Sequence, residues 1–430
     1  MLLSFRVSNF RSFRDAQDLD LRRYGHRSAQ LALDEWDDGV SAVAAIYGPN
    51  AGGKSTCVDA FGYFRHVVRN SYAQWELGDK TGRSPFKLDD HSINEPTEFD
   101  IEFIAEDKIR YRYGFSIDDD EIVAEWLYQY RTPRQTVLFE RGFNEEEFFF
   151  GSSFGAYKSL LQTVRPNSLI LSAANAADHR SLRAVNKWIR TTLQVYSTSA
   201  ARQYSDYAAQ RSFDDGDYAS KVLNFVRNGD LGILDGRVEE REVPEAQRNQ
   251  MLAMLKLFTS KDSPDDSIPK TRHIISLSHQ SESGSTELDF DEESGGTQAL
   301  FGLASLCVDA IENGEVCVFD ELDTSLHPMI VASIVDVFRD PITNPKQAQL
   351  IFTTHDISLL GGAGPDSAGI DRDQVWFVEK DRTGASELMP LSDYKPRVGE
   401  NIFRGYVTGR YGGLPAPKLA RAFRDLEGEA

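Results

Sequence analysis

The distribution of apolar residues predicts several short buried strands near both ends of the chain. Short, almost continuous apolar runs are typical of strands in a parallel sheet that is covered on both faces. Such runs occur at Val43–Tyr47, Val316–Phe319, Leu350–Thr353 and Val375–Val378, and we expect His273–Leu277 to belong with them. Because these strands alternate with helical patterns, they predict a mostly parallel sheet.

Other segments have different periodicities. Runs rich in aromatic and β-branched residues predict an antiparallel meander, and they cover Glu98–Ala105, Lys108–Ile117 and Thr136–Glu140. Apolar residues at helical spacing predict a helix directly after the first apolar run and more helices in the middle of the chain. The predicted helices are Lys54–Arg69, Ser181–Val195, Asp217–Asn228 and Pro244–Phe258.

These patterns divide the 430 residues into three predicted regions. Residues 1–144 are an N-terminal lobe, residues 145–270 a helical insertion and residues 271–430 a C-terminal lobe. The expected fold class is α/β, with a mostly parallel sheet, an antiparallel β meander and a helical insertion.

The composition limits which binding partners and which cellular compartment we expect for the protein. The chain has 47 basic and 67 acidic residues, and its net charge of −20 argues against unspecific binding of nucleic acid over the whole surface. A local basic patch is compatible with this charge. No apolar run is long enough to cross a bilayer, and the start lacks a signal-peptide pattern. Cys57, Cys307 and Cys317 have no metal-like spacing. We expect a cytoplasmic protein without a membrane partner.

A glycine-rich loop between the first apolar run and its helix fits the phosphate-loop pattern. Its predicted ligand-binding residues are Gly48, Pro49, Asn50, Ala51, Gly52, Gly53, Lys54, Ser55 and Thr56. Glycines allow backbone N–H groups to turn towards phosphate oxygens, and the helix N-terminus adds its dipole. We expect Lys54 to contact the β and γ phosphates and the Ser55 hydroxyl to bind Mg²⁺. The loop thus predicts ATP and Mg²⁺ as ligands.

Two later strands end in residues that suit hydrolysis. The run Val316–Phe319 is followed by Asp320, expected to hold Mg²⁺ through water, and Glu321, expected to polarise the attacking water. The run Leu350–Thr353 leads to His355, which can hydrogen-bond a γ-phosphate or that water. A strand-end histidine with a purely structural role is the alternative.

The segment Glu293-Ser-Gly-Gly-Thr297 precedes an apolar helix. Ser294 or Thr297 can cap this helix, and Gly295 and Gly296 allow close approach of an anion. Taken alone, the segment indicates only a capped helix. Its position shortly before the two acids favours a role in nucleotide binding.

In this order the motifs resemble the head of ABC-type ATPases. Leu322-Asp-Thr-Ser-Leu-His-Pro328 resembles the dimer-contacting D-loop of that head, with Asp323 as the matching acid. The opening Asn9-Phe-Arg-Ser-Phe13 resembles the SMC, RecF and OLD branch. The segments Leu391–Arg397 and Gly409–Pro415 resemble the bacterial AAA-15/AAA-21 ATPases of abortive-infection and restriction-linked operons, including the RloA and AbiL type.

The resemblance implies a homodimer, or a higher oligomer, in which two heads sandwich two ATP molecules. Ser294, Gly295 and Gly296 would then serve the nucleotide of the partner. It also implies that hydrolysis drives dimer opening and closing in an antiphage sensor or switch, with a separate effector protein such as a nuclease.

Two features depart from the family pattern. The signature is Glu-Ser-Gly-Gly-Thr where Leu-Ser-Gly-Gly-Gln is common, and no Q-loop glutamine is assigned, because Gln74 comes too early.

Three alternatives remain open. A RecF/SMC-like repair ATPase would act on DNA directly, and Arg11 could contact its nucleotide or lie on the surface. A slow ATP-binding scaffold would turn over little, which the presence of Glu321 and His355 disfavours. The long separation between Lys54 and Ser294 disfavours a transporter subunit.

Overall fold

The computed structural model describes most of the chain, as two compact units. The described residues are 1–23, 39–142, 148–155, 158–197, 201–229, 232–258, 270–282, 284–361, 369–397 and 400–414. The first unit comprises Met1–Ser197, Ala310–Asp323 and Val331–Ala430, and the second comprises Thr198–Asp309 and Thr324–Ile330. The three regions predicted from the sequence stay a prediction.

Helices and strands follow one another in a mixed order along the chain. The N-terminal elements are β1 (Leu2–Ser8), β2 (Gln17–Asp20), β3 (Val43–Tyr47), α1 (Lys54–Asn70), β4 (Thr97–Ile104), β5 (Arg110–Ile117), β6 (Ile122–Tyr130), β7 (Thr136–Arg141) and β8 (Phe148–Phe150). The middle elements are α2 (Lys158–Leu161), α3 (Ile170–Ala176), α4 (Arg183–Lys187), β9 (Leu193–Tyr196), α5 (Ala201–Asp214), α6 (Gly216–Arg227), β10 (Ile233–Glu242) and α7 (Glu245–Phe258). The C-terminal elements are β11 (Thr271–Ser281), β12 (Gly284–Asp289), α8 (Gly295–Asn313), β13 (Val316–Phe319), α9 (Pro328–Arg339), β14 (Gln349–Thr353), β15 (Val375–Lys380), β16 (Ser386–Pro390) and α10 (Ile402–Val407).

An antiparallel sheet in the first unit has the strand order β2-β1-β4-β5-β6-β7-β8. The predicted meander is therefore confirmed, and the structure adds β6, which the sequence pattern did not indicate. Helix α1 packs on this sheet through its aromatic residues. The Phe61 ring stacks on Phe5 with centroids 3.8 Å apart, and Phe64 stacks on Phe115 at 5.6 Å.

A six-stranded sheet has the order β16-β15-β3-β14-β13-β9. Its strands pair in parallel from β15 to β9, while β16 forms an antiparallel hairpin with β15. Strands β3, β13 and β14 are buried along their whole lengths, as their apolar sequences predict. Because parallel strands end at the same edge, the residues that follow these three strands leave the sheet side by side.

Two strands differ from the sequence prediction. The predicted helix Ser181–Val195 ends early, because a π-helical turn over Trp188–Thr192 leads into β9, which pairs with β13. The prediction that His273–Leu277 is a parallel strand is wrong, since it lies in β11 and pairs antiparallel with β10 and β12. Polar and apolar residues mix along β11, as in an antiparallel strand with one solvated face.

With these corrections the predicted fold class is confirmed. The protein is an α/β protein with a mostly parallel sheet, an antiparallel meander and a largely helical region in the middle of the chain. The region predicted as a helical insertion also supplies strands β9 and β10. None of the helices in the described part of the chain is long and apolar enough to cross a membrane.

The second unit has its own core, built on the sheet β10-β11-β12. Helices α5 and α6 bring apolar residues into this core, including Ala208, Tyr218 and Val222, which pack with Ile275 and Leu277 of β11. Burial of such side chains stabilises the unit by roughly 1.5–3 kcal/mol for each large residue.

A buried carboxylate joins the meander to helix α3. The Glu125 side chain on β6 accepts hydrogen bonds from the Tyr113 hydroxyl at 3.0 Å and from the backbone N–H groups of Ile170 at 2.6 Å and Leu171 at 3.0 Å. Burial raises the pKa of Glu125 to about 7, although these hydrogen bonds oppose the shift. This carboxyl therefore titrates near neutral pH.

The substitution Glu125→Gln should remove a pH dependence of stability. The folded pKa of about 7 lies above the ordinary value of 4.5, so between these values the folded state binds more protons than the unfolded state. The wild-type protein should thus lose stability relative to the variant as the pH rises through this window, by at most about 1.4 kcal/mol per pH unit.

Chemical unfolding of both proteins at several pH values measures this difference. Glu121→Gln, a change at an exposed carboxylate next to β6, is the control and should follow the wild type. A constant difference between wild type and Glu125→Gln across the window would contradict the expectation.

Candidate functional site

The predicted phosphate loop lies between β3 and α1, as its sequence context requires. Helix α1 begins at Lys54 with Gly53 as its N-cap residue, and in the described part of the chain no side chain caps its first N–H groups. Gly53 has a φ of 121°, a conformation that strains any residue with a Cβ. An uncapped helix N-terminus offers backbone donors to an anion.

The hairpin of β15 and β16 packs tightly against the loop glycines. A Cβ at Gly48 would lie 2.2 Å from the Val378 carbonyl oxygen, and one at Gly52 would lie 3.1 Å from the same atom. A Cβ at Gly53 would lie 2.5 Å from the Ser386 Oγ. The fold itself therefore requires glycine at positions 48 and 53, apart from any ligand, and leaves little space for a side chain at position 52.

Lys54 is held inside the loop. Its Nζ donates hydrogen bonds to the carbonyl oxygens of Gly48 at 2.9 Å and Pro49 at 3.2 Å. Burial lowers the pKa of Lys54, and the negative charges of Glu321 and Asp320 oppose that shift. The loop thus presents a cation that lies close to the carboxylates of Glu321 and Asp320.

Thr353, for which the sequence predicted no role, connects the two predicted acids. Its Oγ1 donates to Asp320 Oδ1 at 2.7 Å and accepts from the Glu321 backbone N–H at 2.7 Å. Thr353 is fully buried at the end of β14. Glu321 has a φ of 52°, an uncommon backbone conformation for a residue with a side chain. A single hydroxyl therefore orients both acids.

His355 and Asp323 lie beside these acids. The His355 backbone N–H donates to Asp323 Oδ2 at 3.1 Å. The His355 Nε2 lies 3.9 Å from Glu321 Oε1, which is near but beyond hydrogen-bond distance. Both side chains are about 40% exposed, at 42% and 43%. They are therefore accessible from the same opening.

A cavity of about 660 Å³ is lined by half of the predicted site residues. Its lining includes Asn50, Ala51, Gly53, Lys54, Ser55 and Thr56 of the loop, together with Glu321 and His355. Gly48, Pro49 and Gly52 do not line this cavity. Asp320 lines a neighbouring cavity of about 330 Å³. The structure thus brings the loop and the hydrolytic candidates to one place.

Three further residues line the larger cavity: Arg11, Ser12 and Lys380. Arg11 has a φ of 50° and forms an ion pair with Asp59 on α1. Of these three, the sequence indicated only Arg11. Ser12 belongs to the Asn9–Phe13 motif but had no predicted role, and Lys380 lies outside the predicted motifs. Only the folded arrangement places these two residues at the cavity.

The signature residues belong to the second unit. The Ser294 Oγ accepts a hydrogen bond from the Thr297 N–H at 3.2 Å and so caps helix α8. A Cβ at Gly296 would lie 3.0 Å from the Ser325 carbonyl oxygen, whereas described residues leave a Cβ at Gly295 clear to 4 Å. The local geometry agrees with the predicted capped helix and leaves its first residue open.

Strand β9 pairs with β13 and also ends beside the two acids. The Asp320 N–H donates to the Tyr196 carbonyl at 3.2 Å, and the Tyr196 ring stacks on Phe319 with centroids 4.7 Å apart. Gln74, the glutamine that comes too early in the sequence for a Q-loop, lies in the turn after α1. The sequence missed the position of Tyr196 because β9 was predicted as the end of a helix.

Within the described stretches, no group of three or more His, Cys, Asp or Glu side chains is arranged to hold a metal ion. Mg²⁺ commonly takes only one or two protein ligands and completes its shell with water and phosphate oxygens. The Ser55 hydroxyl and the Asp320 carboxylate suit such an ion, provided that a bound nucleotide supplies the remaining ligands.

The chain belongs to a known family. Residues 43–361 match the family model AAA_21, described as "AAA domain, putative AbiEii toxin, Type IV TA system". This match covers well over half of the chain, and the protein is a member of that family. The prediction of AAA-15/AAA-21 membership is thereby confirmed.

Several solved structures are similar to the chain at low identity. The SMC head domain from Thermotoga maritima is 15% identical, with a TM-score of 0.42, over 90% of this chain and 98% of that one. An Smc head domain derived from Pyrococcus furiosus, bound to the C-terminal domain of ScpA, is 11% identical, with a TM-score of 0.41, over 92% and 97%. The recombination mediator protein RecF with ATP is 14% identical, with a TM-score of 0.36, over 90% and 99%. No curated protein matches.

The substitution Thr353→Val should destabilise the protein by about 1–3 kcal/mol, because it leaves the Glu321 N–H without its acceptor and Asp320 without its donor. Valine has nearly the same shape, so packing is kept. Chemical unfolding gives the change in free energy.

Ser41→Ala is the matched control, since the Ser41 hydroxyl is buried without a hydrogen-bond partner among the described residues. The interpretation of Thr353 would be wrong if Thr353→Val and Ser41→Ala were equally stable.

Proposed function

We propose that this protein binds ATP with Mg²⁺ in the larger cavity and hydrolyses the ATP. The observation that supports this most directly is that Lys54, Glu321 and His355 line the same cavity beside the phosphate loop. Family membership as an AAA domain supports a nucleotide as the ligand.

The loop suits a polyphosphate. The N-terminus of α1, which none of the described side chains caps, and the Lys54 ammonium both favour negative charge. The cavity of about 660 Å³ has a size common for small-molecule sites, roughly 300–1,000 Å³. We infer that residues Gly48 to Thr56 surround the phosphates and that Lys54 contacts the β and γ phosphates.

The metal would be held by Ser55 and Asp320. Ser55 is exposed at the start of α1, so its hydroxyl is available to an ion. Asp320 is oriented by Thr353 through one oxygen. Mg²⁺ and ATP supply the electrophilic γ-phosphate when they are bound.

Glu321 is the proposed general base. Its backbone is held by Thr353, and its half-exposed carboxylate can accept a proton from a water molecule in the cavity. His355, 3.9 Å away, is close enough to orient the same water or to donate to a phosphate oxygen. Asp323 supports His355 through the backbone.

We infer that two copies of the chain act together. The open position at Gly295, at the N-terminus of the 19-residue helix α8, suits an anion from outside the chain. In the proposed homodimer, or a higher oligomer, Ser294, Gly295 and Gly296 contact the ATP of the partner. ATP binding closes the dimer and hydrolysis reopens it.

The cellular role that we propose is a cytoplasmic antiphage switch. The family description, "AAA domain, putative AbiEii toxin, Type IV TA system", supports this role. A separate effector such as a nuclease would carry out the response. A RecF/SMC-like repair ATPase acting on DNA is the second candidate, favoured by the opening Asn9–Phe13 motif and disfavoured by the net charge of −20. A slow ATP-binding scaffold is a third, and the presence of Glu321 and His355 beside the loop disfavours it.

Lys54→Ala should abolish measurable ATP binding, a loss of at least about a hundredfold, because the loop loses its only side-chain cation. Isothermal titration with Mg²⁺ and ATP measures this. Lys187→Ala, which removes an exposed lysine paired with Glu106 on the α4 surface, is the control.

Unchanged affinity in Lys54→Ala would refute the nucleotide site.

The same variant should fail to protect cells in a phage plating assay where the wild type protects. Equal protection by both proteins would refute a defence role that depends on ATP.

Glu321→Gln should keep ATP binding but slow hydrolysis by about 10²–10⁴-fold, because the amide cannot accept the proton. Light scattering of this variant should show an ATP-dependent dimer, or ATP-dependent compaction of an existing dimer. Hydrolysis at the wild-type rate would show that another group is the base.

A run of the same sample with short duplex DNA separates the two leading roles. Co-elution of DNA would favour the repair ATPase, and its absence would favour a protein effector. If ATP changed neither mass nor shape, the dimer switch would be wrong and the scaffold favoured.

A further inference from the structure

We propose that Ser386 on β16 is a positioning residue for the phosphate loop, acting with Ser12 through a chain of hydroxyl groups. This inference rests on the proposed function and deepens it. Neither serine belongs to any of the nucleotide motifs, and Ser386 is 334 residues from the loop residue that it contacts.

The chain of hydroxyls is continuous. The Ser386 Oγ lies 2.7 Å from the Gly52 carbonyl oxygen and 2.9 Å from the Ser12 Oγ. The Ser12 Oγ in turn lies 3.0 Å from the Thr56 Oγ1. The Ser386 N–H also donates to the Ser12 carbonyl at 2.7 Å. Four residues from three separate segments are therefore tied together.

The Ser386 hydroxyl is the donor in both of its contacts. A carbonyl oxygen carries no proton, so Ser386 donates to Gly52, and its Oγ also donates towards the Ser12 Oγ. Because a hydroxyl carries one proton, these two acceptors share it. Between Ser12 and Thr56, either hydroxyl can be the donor.

The hydrogen bond from Ser386 to the Gly52 carbonyl matters for an anion site. A carbonyl oxygen carries partial negative charge and would repel a phosphate, whereas backbone N–H groups attract it. The hydrogen bond from Ser386 holds the Gly52 carbonyl towards β16. We infer that this bond keeps the carbonyl out of the phosphate position.

Steric contact reinforces the same arrangement. Gly53 approaches Ser386 so closely that a Cβ there would lie 2.5 Å from the Ser386 Oγ and 2.8 Å from its Cβ. Ser386 is only 2% exposed, so it has little room to move away. Any side chain at position 386 that lost the hydroxyl would leave both the Gly52 carbonyl and the Ser12 hydroxyl without this partner.

The test is Ser386→Ala in a Glu321→Gln background, which prevents turnover during titration with Mg²⁺ and ATP. The dissociation constant should rise about tenfold, as expected for a lost hydrogen bond to a buried carbonyl. Ser392→Ala is the matched control, because Ser392 is a buried serine shortly after β16 whose hydroxyl has no partner among the described residues. It should bind ATP like its parent.

Thermal unfolding without nucleotide separates positioning from plain stability. A lower melting temperature with unchanged ATP affinity would overturn the proposal, because a purely structural serine has that effect. If Ser386→Ala does not fold, Ser12→Ala replaces it, since Ser12 is only half-buried and interrupts the same chain. Unchanged affinity in that variant would also overturn the proposal.

The parent protein and Lys54→Ala separate this inference from the proposed function. If the parent does not bind ATP, the proposed function fails. If the parent binds, Lys54→Ala does not, and Ser386→Ala and Ser12→Ala bind as tightly as the parent, the positioning role alone fails.

Discussion

The site depends on strand β14 lying parallel between β3 and β13. In this register Phe352 is paired with Phe319, and Thr353 is paired with Ile46. The three strands therefore end at the same level, and the phosphate loop, the acids and the histidine segment leave the sheet together. An antiparallel β14 would send its last residues to the opposite edge. A shift of one residue would turn Thr353 to the other face of the sheet.

The phosphate loop is shaped by its packing as much as by its expected ligand. The carbonyl of Val378 lies under Gly48 and Gly52, and Ser386 lies under Gly53. These contacts come from a hairpin more than 300 residues later in the chain. The loop can therefore adopt its glycine-dependent shape before any ligand arrives, which reduces the ordering that binding requires.

The sequence predicted the parts of the site whose chemistry is local. The loop Gly48–Thr56, the acids Asp320 and Glu321, and His355 each stand in a short motif next to an apolar run, and the structure brings them to one edge. The sequence did not predict Thr353 or Ser386, because a threonine or serine in a strand has many ordinary roles. Thr353 is 33 residues from its partner Asp320, and Ser386 is 334 residues from its partner Gly52, so only strand pairing reveals these contacts.

The fold was predicted with similar limits. Strands β3, β13 and β14 are continuous apolar runs, which leave little choice other than burial in a parallel sheet. Strand β9 has only four residues after a helical stretch, and such a short run cannot be distinguished from a helix end by its periodicity. Polar and apolar residues mix along strand β11, so its sequence alone does not indicate the sheet to which it belongs. Antiparallel pairing with β10 and β12 places it in the three-stranded sheet.

The backbone links the acids to the segments that would respond in the proposed switch. Asp323 is the last residue of the first unit before the chain enters the segment Thr324–Ile330, and it accepts a hydrogen bond from the His355 backbone. The Tyr196 carbonyl, which accepts from Asp320, immediately precedes Ser197, where the first unit also ends. The turn Asp320–Asp323 thus ends where the chain leaves the first unit, and Tyr196, which is hydrogen-bonded to Asp320, is one residue from another such point. In the proposed cycle, a change in nucleotide at Asp320 and His355 reaches the second unit through these short connections, without requiring a long relay of side chains.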